Sequence, residues 1–372
     1  MTRQLRPLIM TGVDLPLEPS CGSTIWCSNV YQQLAPDFRT TFLALPGSGL
    51  WQHSFEETID LRATKQPYGP RFNRYTEELT EEVERLLRHR RPDLIHAQHL
   101  GFGLALAFAR AKGNTPLISI AHGTDVIAAA ENDQARNALI EIVTASTAVA
   151  VPNTAMADQV NTLTRGKFTD RLITVPWGIP LPDHPTVQPT SGRRLQLLHA
   201  GRLDANKSTT TAIEAMTRTA GEHHLTVIGS GSELPSLTAL VDYLGLTARV
   251  RFEPFMPREQ LWEHFADFDA FLFTTKQLEA FGLVAVEAQA HGLPVVYGDL
   301  PGLRHTLGAG ALAYQPGDAA GLAACIDQLA DDPGLRRTLS SAAATSARRH
   351  DITTTTAHLR NLSKTVLGAT HV

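Results

Sequence analysis

Between Gln277 and Gln289 the chain reads QLEAFGLVAVEAQ, two glutamates, Glu279 and Glu287, separated by seven residues that are apolar or glycine. A short apolar run, Ala270–Thr274, precedes them, followed by a polar loop and a helical pattern expected to begin near Gly282. Backbone N–H groups at a helix start attract phosphate, and a glycine there lets the ligand approach. Glu279 then falls in the loop and Glu287 about a turn into the helix. One carboxylate can serve the far end of a ligand whose phosphates lie over Phe281, Gly282 and Leu283, and the other its near end. The plainer reading is a pair of solvated glutamates.

A second cluster is LLHAGRLDANKS, Leu197–Ser208. A strand ends at Gly201, and Arg202 and Lys207 follow across a turn. Two cations at the carboxyl end of a strand can clamp a diphosphate from opposite sides, although exposed charges after a strand are common. LTVIGSGSEL places Gly229 and Gly231 after a strand, a spacing as suited to a tight strand-to-helix turn as to a nucleotide. EPSCGSTIW offers Gly22, Ser23 and Thr24 as another phosphate-facing helix start. His122 and Gly123 stand just past a strand, as do His96 and His99; a lone histidine in such a place is usually structural. The Asp-x-Asp at Asp267–Asp269 resembles a metal-holding pair but lies between a helical pattern and a buried strand, which favours a turn. Cys21 and Cys27 lack partners at metal-ligand spacing, and no Walker loop, serine elbow or zinc pattern is present.

The elements that must position these residues are legible as continuous apolar runs. In the first half these are Leu8–Thr11, Thr41–Leu45, Leu94–Ala97, Leu117–Ala121, Ala148–Val151 and Leu172–Val175. In the second half they are Leu195–Ala200, Leu225–Gly229, Val250–Glu253, Ala270–Thr274, Val295–Tyr297 and Ala311–Tyr314. Such runs suit strands buried on both faces of a parallel sheet, and helical patterns between them imply right-handed βαβ units. A helix is expected over Thr76–Arg91, with Leu79, Val83, Leu86 and Leu87 on one face and Pro92 ending it. Pro176–Gly192 holds five prolines in a polar stretch and reads as a linker. The expected organisation is α/β, two doubly wound Rossmann-like domains, residues 1–186 and 187–351, facing a central cleft. The last helix, about 352–372, could cross back onto the first domain.

With 372 residues, 43% hydrophobic and 19% charged, the chain is globular and long enough for two cores. A net charge of −4 gives no general attraction to nucleic acid or anionic lipid. Three cysteines, Cys21, Cys27 and Cys325, make no disulfide framework and point to a reducing cytoplasm. No apolar run approaches the roughly 20 residues of a membrane span. Arg62–Arg74 and Arg85–Arg91 are locally basic, but no sustained basic, apolar-faced helix accompanies them.

Taken in order, HG in the first half, GRL…K after the first strand of the second, GSG on the next strand, Glu279-x7-Glu287 around Phe281-Gly282, and AHGLPVVYGDLPG (Ala290–Gly302) resemble the retaining, GT-B fold glycosyltransferases of family 4. The resemblance spans nearly the whole chain and is strongest over Leu195–Gly302. It departs from the family where a paired glycine becomes Gly22-Ser23, a glycine becomes Pro254, the linker asparagine becomes Trp177 and a glutamate becomes His305.

The resemblance implies a first domain that binds the acceptor and a second that binds a nucleoside-diphosphate sugar, UDP- or GDP-linked, with no further cofactor and no metal. Arg202 and Lys207 would neutralise the leaving diphosphate. Glu279 would hold a hydroxyl of the transferred sugar, with the amides of Phe281, Gly282 and Leu283, and Glu287 the ribose. Gly22 and Ser23 would touch the diphosphate, Gly229 and Gly231 the donor. His122 would contact the sugar near the reacting carbon, and His99, His122 and Trp26 would face the acceptor. The alanine-, threonine- and arginine-rich style, with CGSTIWCSNVYQQL, is similar to antibiotic-pathway transferases of actinobacteria, implying a small soluble acceptor. Alternatives are a lipid or polysaccharide transferase of the same family, a GT-B epimerase, or a non-catalytic nucleotide-sugar-binding protein.

Overall fold

The computed structural model describes residues 6–370 apart from 20, 48, 50, 188–191 and 278. Ser20 and Leu278 of the quoted stretches, and part of the proline-rich linker, therefore lie outside the described residues. The chain forms two compact units. One holds the residues up to Gly178 and those from Ile352 onward; the other is Ile179–Asp351.

The first unit is built on seven parallel strands: β1 (Leu8–Pro16), β2 (Arg39–Leu45), β3 (Glu57–Asp60), β4 (Leu94–Gln98), β5 (Leu117–Ile120), β6 (Ala148–Val151) and β7 (Leu172–Thr174). Their order is β3-β2-β1-β4-β5-β6-β7. The second unit has six: β8 (Gln196–Ala200), β9 (His224–Ile228), β10 (Val250–Glu253), β11 (Ala270–Phe273), β12 (Val295–Gly298) and β13 (Ala311–Tyr314), in the order β10-β9-β8-β11-β12-β13. Both are α/β, Rossmann-like sheets of parallel strands. In each the winding direction reverses once, between β1 and β4 and between β8 and β11. Ligands in such sheets bind at that reversal, beyond the carboxyl ends of the strands.

Every apolar run singled out from the sequence contains a strand; β3 was not among them. Its sequence, ETID, alternates half-buried and exposed residues at a sheet edge, so it lacks the continuous apolar run of an inner strand. Glu57 is instead tied down by polar partners, accepting from Thr41 Oγ1 at 2.6 Å and pairing with Arg90 at 2.6 Å. The expected helix at Thr76 starts earlier, spanning Phe72–Arg90. Its added turn buries Phe72 and Tyr75, and the Tyr75 hydroxyl donates to Asp14 Oδ2 at 2.8 Å.

In the second unit Leu197, Leu225, Val227 and Leu272 pack on Ile213, Met216, Leu322 and Ile326 of the covering helices. Each such fully buried aliphatic contributes about 1.5–3 kcal/mol. The final helix, Ile352–Thr370, packs on the Gly22–Leu34 helix of the first unit. There Arg360 and Lys364 both reach Asp37, at 2.7 and 2.6 Å, and Thr355 Oγ1 donates to the carbonyl of Pro176 at 2.7 Å.

Candidate active site

In the second unit, the loops leaving β8 and β11 meet where the sheet reverses. The β8 loop carries Arg202 and Lys207. Asp204 caps the short turn before Lys207, its carboxylate accepting the Lys207 N–H at 3.3 Å. The two loops are stitched together: Thr274 Oγ1 donates to the Lys207 carbonyl at 2.8 Å, and Lys276 N–H to the Asn206 carbonyl at 3.2 Å. His199, buried on β8, binds the Leu272 carbonyl through Nδ1 at 2.9 Å, with Nε2 3.1 Å from Thr209 Oγ1.

The β11 loop then delivers Glu279 to the start of the Leu283–Ala290 helix. Glu279 Oε2 is 2.8 Å from Lys207 Nζ, and Oε1 accepts from Gly282 N–H at 3.0 Å and Phe281 N–H at 3.4 Å. Burial pushes the Glu279 carboxyl up, but the charge and hydrogen bond of Lys207 and the two amide donors outweigh it, leaving it below its ordinary range. Gly282 makes this turn possible. Its φ is +75°, and a Cβ would lie 2.8 Å from a Leu303 methyl. Arg202 is different: its side chain is 64% exposed and pairs with Asp204 at 3.2 Å.

Glu287 lies away from this group. Its side chain is 7% exposed and paired with Arg258 at 2.9 Å. Burial holds its carboxyl above the usual range despite Arg258. Gly229 and Gly231 have a packing reason visible in the backbone. A Cβ at Gly229 would sit 1.9 Å from the Gly201 carbonyl oxygen, and one at Gly231 2.2 Å from that of Leu203. Their loop is bonded to the Arg202 loop through Gly201 N–H to Ile228 O and Leu203 N–H to Ser230 O. The pair of glycines thus fixes the path of the Arg202 loop. Asp269 starts β8 by accepting Gln196 N–H at 2.8 Å, and Asp267 pairs with His264 at 2.9 Å, so both carboxylates of the Asp-x-Asp hold local structure.

In the first unit the reversal between β1 and β4 gathers the remaining candidates. Gly22 opens the Gly22–Leu34 helix, and Ser23 Oγ lies 2.9 Å from His99 Nε2. His99, at φ +68°, stacks on Phe102 at 4.0 Å and on His122 at 3.9 Å. His122 meets the edges of Trp26 and Trp177, at 5.4 and 4.7 Å, and those indoles stack on each other at 4.6 Å. Trp26 is fully buried, so it backs the imidazole. Burial lowers His122 to about 3, so it is neutral. The turn holding it is set by Asp125, whose carboxylate accepts the N–H groups of Leu100, His122 and Gly123. Asp125, Gln98 and Arg258 were missed by sequence reasoning. The first has a local mark in the sequence, an Asp three residues after the histidine, in keeping with the Asx-type turns such side chains make. The other two act across strands or helices and have none.

Comparison with known proteins adds the family. Residues 183–346 match the glycosyl transferases group 1, and residues 25–178 match a glycosyl transferase 4-like domain. The chain is 28% identical over 287 residues to a D-inositol 3-phosphate glycosyltransferase of Xylanimonas cellulosilytica, covering 69% of this chain and 68% of that one. It is 28% identical over 271 residues to a glycogen synthase of Mycobacterium tuberculosis, covering 68% and 64%. The chain thus spans about two thirds of the length of these relatives. Among solved structures, a sucrose-phosphate synthase from Thermosynechococcus elongatus superposes with a TM-score of 0.81 at 20% identity, covering 98% of this chain and 100% of that one. Anabaena HepE, solved with UDP and glucose, gives 0.78 at 19%, covering 97% and 100%. Two parallel Rossmann-like sheets, two adjoining family matches over most of the chain and these neighbours agree: the chain belongs to the group 1, family-4-like glycosyltransferases of GT-B fold.

Proposed function

We propose that this protein transfers a hexose-type sugar from a UDP- or GDP-sugar to a small soluble acceptor, with retained configuration and without a divalent metal. The observation that carries the reading is the Glu279 carboxylate, whose oxygens draw in the Lys207 ammonium and the helix-start amides of Phe281 and Gly282. The carboxylate holds the Lys207 ammonium in place, and that ammonium supplies positive charge a leaving diphosphate needs. Lys207 has further donors beyond the one spent on Glu279, and Arg202 stands exposed on the same loop. Negative charge grows on the leaving oxygen as the glycosidic bond to the nucleoside diphosphate breaks. A preorganised donor at such an oxygen contributes about 3–4 kcal/mol to the transition state.

Glu279, already fixed by two amides, orients a hydroxyl of the transferred sugar with its remaining lone pairs. Glu287 and Arg258 serve the ribose end. The described carboxylates at the clamp are engaged, Glu279 by Lys207 and two amides and Asp204 by Arg202, which supports attack by the acceptor on the face the diphosphate leaves. The first unit takes the acceptor, with His122 and His99 as its polar groups and Trp26 behind them. Relatives named for D-inositol 3-phosphate support a small polar acceptor. The CGSTIWCSNVYQQL style supports a place in secondary metabolism.

Incubation with labelled UDP- and GDP-sugars and candidate acceptors tests the reading. A glycosylated product with the donor's anomeric configuration supports it, and its formation should survive EDTA and Asp267→Asn. Epimerised donor, or binding with no turnover, contradicts it.

A further inference from the structure

A chain of buried hydrogen bonds runs through the first unit from the final helix to His122, and the Ser363 donor at its far end sets a direction for the links that follow. The Leu359 carbonyl can only accept, so Ser363 Oγ, 2.7 Å away, donates to it. Ser363 Oγ then accepts from His96 Nε2–H at 3.1 Å. Burial lowers His96 to about 3, so the ring is neutral and its Nδ1 is bare. The Tyr31 hydroxyl, 2.9 Å from that Nδ1 and 3.2 Å from Thr11 Oγ1, donates its hydrogen bond to the bare, nearer nitrogen. With its proton committed, the Tyr31 oxygen accepts from Gln98 Nε2 at 2.8 Å, while the second Gln98 N–H goes to Thr11 Oγ1 at 3.0 Å. The amide oxygen of Gln98 therefore faces His122 Nε2, 2.8 Å away, and this nitrogen must carry the hydrogen. His122 Nδ1 is left as a lone pair. It is buried and has no hydrogen-bond partner among the described residues.

We propose that Gln98 is a positioning residue: polarised by the Leu359–Ser363–His96–Tyr31 chain, it holds His122 as the Nε2–H tautomer and presents Nδ1 as an acceptor for a ligand hydroxyl. This rests on the reading of His122 as a ligand-facing polar group of a glycosyltransferase. It adds that the tautomer is dictated by the final helix, through His96 and Gln98 on one face of β4. An Nδ1–H tautomer would set two donors against each other when a hydroxyl donates to that nitrogen, and would leave the Gln98 oxygen unpaired in a buried place.

The test is a long-range ¹H–¹⁵N spectrum of the histidine-labelled, unaltered protein near neutral pH, with the His122 signals assigned from His122→Asn. The expected result is a protonated Nε2 and a bare, pyridine-like Nδ1 for both His122 and His96. A protonated Nδ1 on His122 overturns the proposal, whether or not the protein transfers sugar, so its failure is distinct from failure of the functional reading. Gln98→Leu should mix the His122 tautomers and lower kcat roughly tenfold, about the worth of one net hydrogen bond, while nucleoside diphosphate binds as before. Full turnover in folded Gln98→Leu also overturns it. Should that variant fail to fold, Tyr31→Phe removes the oxygen that fixes the Gln98 amide. It should give the same tautomer mixing, and an unchanged His122 spectrum there contradicts the chain.

Discussion

Glu279 and Glu287 share a motif but have unlike surroundings, so their substitutions should fail differently. Glu279 shares its charge with Lys207 and two amides on the loop side of the helix start. On the proposed reading Glu279→Gln takes a charged acceptor from the transferred sugar, and kcat should fall by about two orders of magnitude while nucleoside diphosphate still binds. Glu287 is buried against Arg258. Glu287→Gln leaves that guanidinium without a counter-charge, so it should cost about 3 kcal/mol in urea unfolding and weaken nucleoside diphosphate in calorimetry. If Glu279→Gln abolishes diphosphate binding and Glu287→Gln leaves both stability and binding intact, the two roles are reversed.

At the scale of elements, the loop holding Arg202 is shaped by its neighbour. Gly229 and Gly231 let two strand-end loops touch backbone to backbone. Gly229→Ala or Gly231→Ala should therefore destabilise the second unit by about 1–3 kcal/mol, as overpacking does, and reduce donor affinity although neither glycine need touch the donor. Melting curves with and without nucleoside diphosphate check this; an alanine variant with normal melting and binding would count against it. The inner strands were legible in the sequence because burial on both faces demands continuous apolar runs. β3 was not, since an edge strand with Glu57 and Asp60 carries the alternation of a half-exposed element. The Lys207–Glu279 neighbourhood could be anticipated because both follow strands at a sheet reversal. The Arg258 partner of Glu287 could not, because a long-range ion pair leaves no local pattern, and neither could the Gln98 contact to His122.

Across the whole molecule, several imidazoles are kept neutral. Burial lowers His96 and His122 from 6.5 to about 3, and His199 to about 4. Between the folded and unfolded values the unfolded chain binds protons that the folded chain refuses, so stability falls as pH drops below about 6.5. Each such histidine costs up to about 1.4 kcal/mol per pH unit in that window. Glu287 and Asp125, raised by burial, act with the opposite sign just above the ordinary carboxylate range, but the lowered histidines outnumber them, since burial also lowers His99 and takes His291 to about 4. The unfolding midpoint in urea should thus be lower at pH 5.5 than at pH 7.5, and His96→Gln should flatten the slope. A midpoint that holds or rises on acidification contradicts the neutral, buried assignments. No helix among the described residues is long and apolar enough to cross a membrane.

The central claim is that Lys207 and Arg202, on the loop after β8, hold the donor's diphosphate. Calorimetric titration of the unaltered protein and of Lys207→Ala and Arg202→Ala with UDP and GDP addresses it most directly. One of the two nucleotides should bind the unaltered protein, and each alanine variant should lose roughly ten- to a hundredfold in affinity, as loss of a charge-assisted hydrogen bond of about 1.5–3 kcal/mol requires; exposed Arg202→Ala should melt as before, while Lys207→Ala, which leaves the buried Glu279 carboxylate without its counter-charge, should melt lower. Equal affinity in both alanine variants and the unaltered protein would place the diphosphate elsewhere and contradict the account.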